Sequence, residues 1–124
     1  MSRTPDIEAR LRDIVFWGSR AAGYAQGTDQ EAFLSDSKSQ DAVIRCLEVV
    51  GEACGQILRL DPGFEQRHPE LELSKAYRAR NRTAHGYGSV DTATVWMTVT
   101  EACPRLVAAA RKILQDGPNG SPPG

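Results

Sequence analysis

"DAVIRCLEVVGEACGQIL", Asp41 to Leu58, decides the fold. Val43, Cys46, Leu47, Val50, Cys54, Ile57 and Leu58 recur at steps of three and four, the spacing of one face of an α-helix. Arg45, Glu48 and Glu52 follow at i, i+3 and i+7 on the opposite face, flanked by Gly51 and Gly55. That polar face is either solvated, turned toward another subunit, or the wall of a cleft. In the last two cases the glycines would let a second helix approach closely.

The flanking segments share the helical period. Thr4-Pro5 opens a first helix, with Thr4 as N-cap and Pro5 at the first helical position. Ile7, Leu11, Ile14, Val15, Gly18, Ala22 and Ala25 carry it to Gly27. "TDQE", Thr28 to Glu31, reads as a capping box before a short turn ending at Leu34. The long helix containing the quoted stretch starts near Ser37, with Gln40 three residues on, and Asp61-Pro62-Gly63 stops it. A loop with room for one helical turn leads to Pro69, and a third helix is expected from about Leu71 to Ala84. Asp91 caps a fourth, striped by Val95, Trp96, Val99, Ala102, Cys103, Leu106, Val107, Ala110 and Ile113 and kinked at Pro104. No segment alternates with the period of a strand, and there are no internal repeats. The expectation is an all-α, up-and-down bundle of four main helices plus short helical turns, one domain over residues 1–116, with a disordered tail at 117–124.

Composition narrows the function. With 15 basic and 16 acidic residues, the chain has no cationic coat, so a polyanion would have to be met locally. Aromatics, at 6%, are too few for a broad base-stacking surface. No apolar run reaches the roughly 18–20 residues of a membrane span, and "MSRTPDIEARLRDIV" lacks a signal-peptide core. Cys46, Cys54 and Cys103 form no CxxC pair and read as small buried hydrophobes in a reduced, cytoplasmic protein.

Positive charge is concentrated in "KAYRARNRTAHGYGSVD", Lys75 to Asp91, with no acid between Glu72 and Asp91. At 100° per residue, Arg78, Asn81, Arg82 and His85 lie within about 100° of one another as a polar face. Leu73, Tyr77 and Ala84 point inward, and Arg80 lies beside them, about 140° from His85. A guanidinium on the buried side must be hydrogen-bonded, and the second helix offers acids. His85 and Arg80 could converge where Gly86 and Gly88 end the helix, or meet across a two-fold axis. His68, before Pro69, is too isolated to form a zinc site with His85.

"RNRTAHGY", Arg80 to Tyr87, has the order Arg, four residues, His, one residue, Tyr. It resembles the motif of HepT-type toxins of the HEPN superfamily. "EVVGEACGQI", Glu48 to Ile57, and "SVDTATVWMTVTEACPRL", Ser89 to Leu106, resemble the second and last helices of that family, so the likeness covers about residues 5–115. One departure is Leu73, where the family often has Trp. The resemblance implies a dimeric all-α ribonuclease that needs no metal or cofactor, with Arg80 and His85 as the catalytic pair and Asn81 as the accompanying polar residue. It also implies an MntA-type nucleotidyltransferase antitoxin that silences the toxin by transferring AMP to Tyr87.

The residues suit that chemistry. RNA cleavage without a metal needs a base, an acid and a cation, and a histidine with an ordinary pKa near 6.5 can act as either of the first two. Arginine provides a planar, permanently charged fork for phosphate. Lys75, Arg78 and Arg82 add phosphate contacts, while Arg45, Glu48 and Glu52 form the cleft or dimer face. The alternatives are a non-catalytic module that binds a nucleotide or docks a nucleotidyltransferase, and a purely structural helical dimer.

Overall fold

The computed structural model describes residues 4–84 and 91–116, with the backbone alone at 81–84. Its helices are α1 (Pro5–Ala25), α2 (Gln30–Leu34), α3 (Ser37–Leu60), α4 (Phe64–Arg67), α5 (Leu73–Ala84), α6 (Thr92–Met97) and α7 (Cys103–Gln115). A 3-10 turn, Pro69–Leu71, precedes α5, and a π-helical turn, Thr98–Ala102, joins α6 to α7. Among the described residues there is no strand. The architecture is the expected all-α bundle, with α1, α3, α5 and the bent α6–α7 unit as its four long members.

Local chemistry sets the ends of the elements. Thr4 Oγ1 accepts the Ile7 amide at 3.2 Å and Pro5 opens α1, as expected. The next two caps fall on aspartates instead of the expected Thr28 and Ser37. Asp29 accepts the Ala32 amide at 2.8 Å, and Asp36 accepts the Ser39 amide and hydroxyl. A carboxylate complements the positive helix N-terminus better than a hydroxyl, and the Ser39 bonds hold the Asp36 carboxyl below its ordinary pKa. Gln40 does not close a capping box; its amide donates to the Phe33 carbonyl at 2.9 Å and ties α2 to α3.

The kink expected at Pro104 is a π turn just before it. Pro104 has no amide hydrogen to donate to Thr100, and its ring crowds that carbonyl. In the widened turn the Cys103 amide donates a hydrogen bond back to the Thr98 carbonyl. The hydroxyls of Thr98 and Thr100 donate to the carbonyls of Thr94 and Trp96, a pattern that also bends helices.

Two apolar clusters fill the interior. Ile7, Leu11, Ile14, Val50, Cys54, Ile57, Phe64, Leu73 and Ile113 belong to one, and Ala21, Phe33, Val43, Cys46, Val95 and Val99 to the other. Trp17 packs against both, joining them into one core. The thiols are part of this packing. Burial pushes Cys54 up to about 12 and Cys103 up to about 11, so neither supplies a thiolate at neutral pH. No helix among the described residues is long and apolar enough to cross a membrane.

Candidate active-site cleft

The approach of α5 to α3 depends on two missing side chains. A Cβ on Gly51 would fall 2.2 Å from the Arg80 Cβ, and one on Gly55 would fall 2.5 Å from the Tyr77 ring. The close-approach helix anticipated for these glycines is α5 of the same chain. Packing at this distance places Arg80 directly against α3.

There Arg80 meets its acid. Arg80 Nη2 lies 3.4 Å from Glu52 Oε2, and Arg59 Nη2 lies 3.2 Å from Glu52 Oε1. One carboxylate is therefore shared by two guanidiniums, and the trio keeps a net positive charge. Arg80 is 28% exposed, so its head group is neither sealed in the core nor fully solvated.

Glu52 and Arg80 line an open cleft of about 340 Å³ between α1, α3 and α5. Arg45, Glu48, Val49, Glu52, Ala53 and Gln56 of α3 form its floor, Arg10 and Asp13 of α1 one wall, and Arg80 the other. Arg10 donates to Gln56 Oε1 at 3.1 Å and sits 2.9 Å from Asp13 Oδ2, which braces α1 against α3. The cleft thus gathers Arg45, Glu48, Glu52 and Arg80. Arg10, Asp13 and Gln56 were not anticipated, because a polar pair on a helix surface acquires a role only from what packs beside it.

Other basic residues lie elsewhere. Lys75 is 67% exposed and reaches Glu72 at 3.7 Å. Arg78 is exposed and acts on Glu65. Neither lines the cleft with Arg80. Asn81 and Arg82 continue the α5 backbone beyond Arg80, whereas His85 and Tyr87 lie outside the described residues, as does the 117–124 tail. His68 stacks its ring on Phe64 at 4.5 Å, away from the cleft.

The start of α5 is held from a distance. Glu72 just before it adopts a left-handed backbone, φ 50° and ψ 47°. Glu65 of α4 accepts the Ser74 amide at 2.8 Å and the Ser74 hydroxyl at 2.6 Å. The Ser74 hydroxyl, then its amide, lower the Glu65 pKa, and Arg78 adds to the effect. Glu65 thereby performs the N-capping role across nine residues, which no local capping pattern announces.

Fold and cleft together define a helical-bundle protein that seats an arginine of a basic helix in an open, charge-lined groove. Residues 17–113 match the family described as "Ribonuclease HepT-like", and the chain belongs to that family. It is similar to a "Putative RNase" of Methanocaldococcus jannaschii, 31% identical over 111 residues that cover 90% of this chain and 93% of that protein. It also resembles a "Probable ribonuclease HepT" of Thermococcus cleftensis, 40% identical over 83 residues, 67% of this chain and 73% of that one. A "Putative RNase" of Caldanaerobacter subterraneus is 28% identical over 111 residues, 90% of this chain and 93% of its own. No solved structure matches the chain.

Proposed function

We propose that this protein is a metal-independent endoribonuclease, the toxin subunit of a type II toxin–antitoxin pair, acting in the cytoplasm through its 1–116 helical domain. The observation that carries this reading is the placement of Arg80, held by Glu52 at the border of an open cleft in a member of the HepT-like ribonuclease family. Arg80 binds the scissile phosphate and balances charge building on it, because a guanidinium offers paired donors and never deprotonates near neutrality. His85, five residues on, transfers the proton at the 2′-hydroxyl or at the leaving oxygen, and Asn81 orients the phosphate between them. The product is a 2′,3′-cyclic phosphate.

A homodimer supplies a second His85, so that base and acid come from two subunits, with the Arg45, Glu48, Glu52 face of α3 at the shared cleft. Lys75, Arg78 and Arg82 draw in flanking phosphates. A nucleotidyltransferase antitoxin silences the enzyme by placing AMP on Tyr87, and its phosphate occupies the substrate's place at Arg80 or Arg82. The direct test is cleavage of single-stranded RNA in EDTA by the wild type, His85→Ala and Arg80→Ala. The wild type should cleave and both variants should not, with helix content unchanged by circular dichroism. Cleavage that EDTA abolishes would overturn the mechanism.

A further inference from the structure

On α1, Phe16, Arg20 and Tyr24 follow at i, i+4 and i+8, which aligns them in one stripe. The stripe faces solvent: Phe16 is 57% and Tyr24 40% exposed. It is also ordered by internal contacts. The Arg20 guanidinium lies 5.5 Å from the Trp17 ring centre and 5.9 Å from that of Tyr24, and its Nε donates to Tyr24 Oη at 3.1 Å. Phe16 meets Trp17 edge to face at 5.2 Å. Two of the eight aromatic side chains thus pack on one arginine and a third packs on one of those two, although the overall aromatic content is low.

The stripe itself is free of acids, although Asp13 of the cleft wall stands one turn before Phe16. From Ile14 to Thr28 the chain has no acid. Arg111 of α7 donates to Ser19 Oγ at 3.4 Å, beside the stripe. On the other side, burial raises the Cys46 thiol while Arg20 and Arg45 pull it back. Arg45 also lines the cleft, as do Arg10 and Asp13 further toward the start of α1. The stripe therefore adjoins the cleft instead of standing apart from it.

We infer that the Phe16–Arg20–Tyr24 stripe, backed by Trp17, is a stacking ledge for bases of single-stranded RNA beside the cleaved phosphate. The inference rests on the ribonuclease reading of the cleft. Every base has a face that can stack on an aromatic ring, and arginines between the rings engage the backbone, so such a surface grips a strand with little regard for sequence. A duplex hides its base faces and gains nothing from it. A second copy of the chain is a poorer occupant, since two-fold pairing through this stripe would bring arginines toward arginines.

The test is fluorescence anisotropy of a short labelled 2′-O-methyl oligonucleotide, which lacks the hydroxyl needed for cleavage, used both single-stranded and as a duplex. Phe16→Ala and Tyr24→Ala should each weaken single-strand binding roughly 5- to 150-fold, the range for losing one stacked base, and leave duplex binding unchanged. Tyr24→Phe, which keeps the ring, should bind like the wild type. Cleavage of a dinucleotide too short to reach the ledge should be unaffected. Unchanged single-strand affinity in both alanine variants, or equal losses on duplex, would overturn the ledge. A shift from dimer to monomer by sedimentation in those variants would assign the surface to a second copy instead. Failure of the ribonuclease reading would appear separately, as a wild type that binds the strand but cleaves no RNA.

Discussion

Glu52 holds Arg80 at 3.4 Å across the α3–α5 contact while its second oxygen engages Arg59 at 3.2 Å. The carboxylate fixes where the guanidinium points without cancelling its charge, because it is divided between two cations. An isolated, partly exposed ion pair contributes less than about 1 kcal/mol to stability, so this pair matters more for aim than for folding.

Glu52→Gln should therefore leave the thermal midpoint nearly unchanged and lower the rate of RNA cleavage roughly 10- to 100-fold, as expected when a positioned group drifts by about an ångström. Arg59→Ala should have a smaller effect, since Arg80 keeps its acid. Steady-state kinetics beside a melting curve would check both. Cleavage by Glu52→Gln at the wild-type rate would remove Glu52 from any positioning role.

Two glycines in helices should respond to alanine with opposite signs. At Gly23 an added Cβ would meet nothing within 4 Å, so Gly23→Ala should gain up to about 1 kcal/mol from helix propensity. At Gly51 the methyl would strike the Arg80 Cβ and approach the Ala76 carbonyl oxygen to 3.2 Å, neither of which can swing aside. Gly51→Ala should cost about 1–3 kcal/mol and push Arg80 off its seat. Urea unfolding measures both, and a stabilised Gly51→Ala would show that the α3–α5 contact is looser than it stands here.

The Glu65–Ser74 contact makes a pH-dependent contribution. Its carboxyl is held below the ordinary 4.5, so the folded form favours the ionised state. The stabilisation is then complete above pH 4.5 and disappears as pH falls through the lowered value. Glu65→Gln should be less stable than the wild type by about 1 kcal/mol near neutrality, and the two should converge in acid. Denaturation at several pH values tests this, and a gap that persists below the folded-state pKa would rule out the charged cap as its source.

Tyr87→Phe should keep most cleavage activity and escape silencing by the nucleotidyltransferase partner. Intact mass after incubation with that partner and ATP gives the answer. Equal adenylyl mass on both proteins, or none on the wild type, would remove Tyr87 as the modified residue.

Helical period alone made the bundle legible. The Val43–Leu58 stripe, the Thr4-Pro5 start and the stop at Asp61 all appear where the residues put them. Angular position also identified Arg80 as the guanidinium in need of an acid, and α3 supplied it. What escaped was set by tertiary proximity. Arg10 and Gln56 are far apart in sequence and meet only because α1 lies along α3. Glu65 caps a helix it does not belong to. The aromatic content, read as an average, concealed the cluster around Arg20. Asp29 and Asp36 displaced the expected hydroxyl caps because both candidates stood side by side and the charged one matched the helix end.

The borrowed cap on α5 also bears on the order of assembly. Its first turn holds no acid, and the residue before it enters through a left-handed backbone. Glu65 can close that end only once α4 has been laid down, and Gly51 can receive Arg80 only once α3 is formed. The basic helix should accordingly dock late in folding, after α3 and α4. A partly folded chain would then carry every arginine of the segment and still not possess the cleft, so the charge would be present before the groove that seats it.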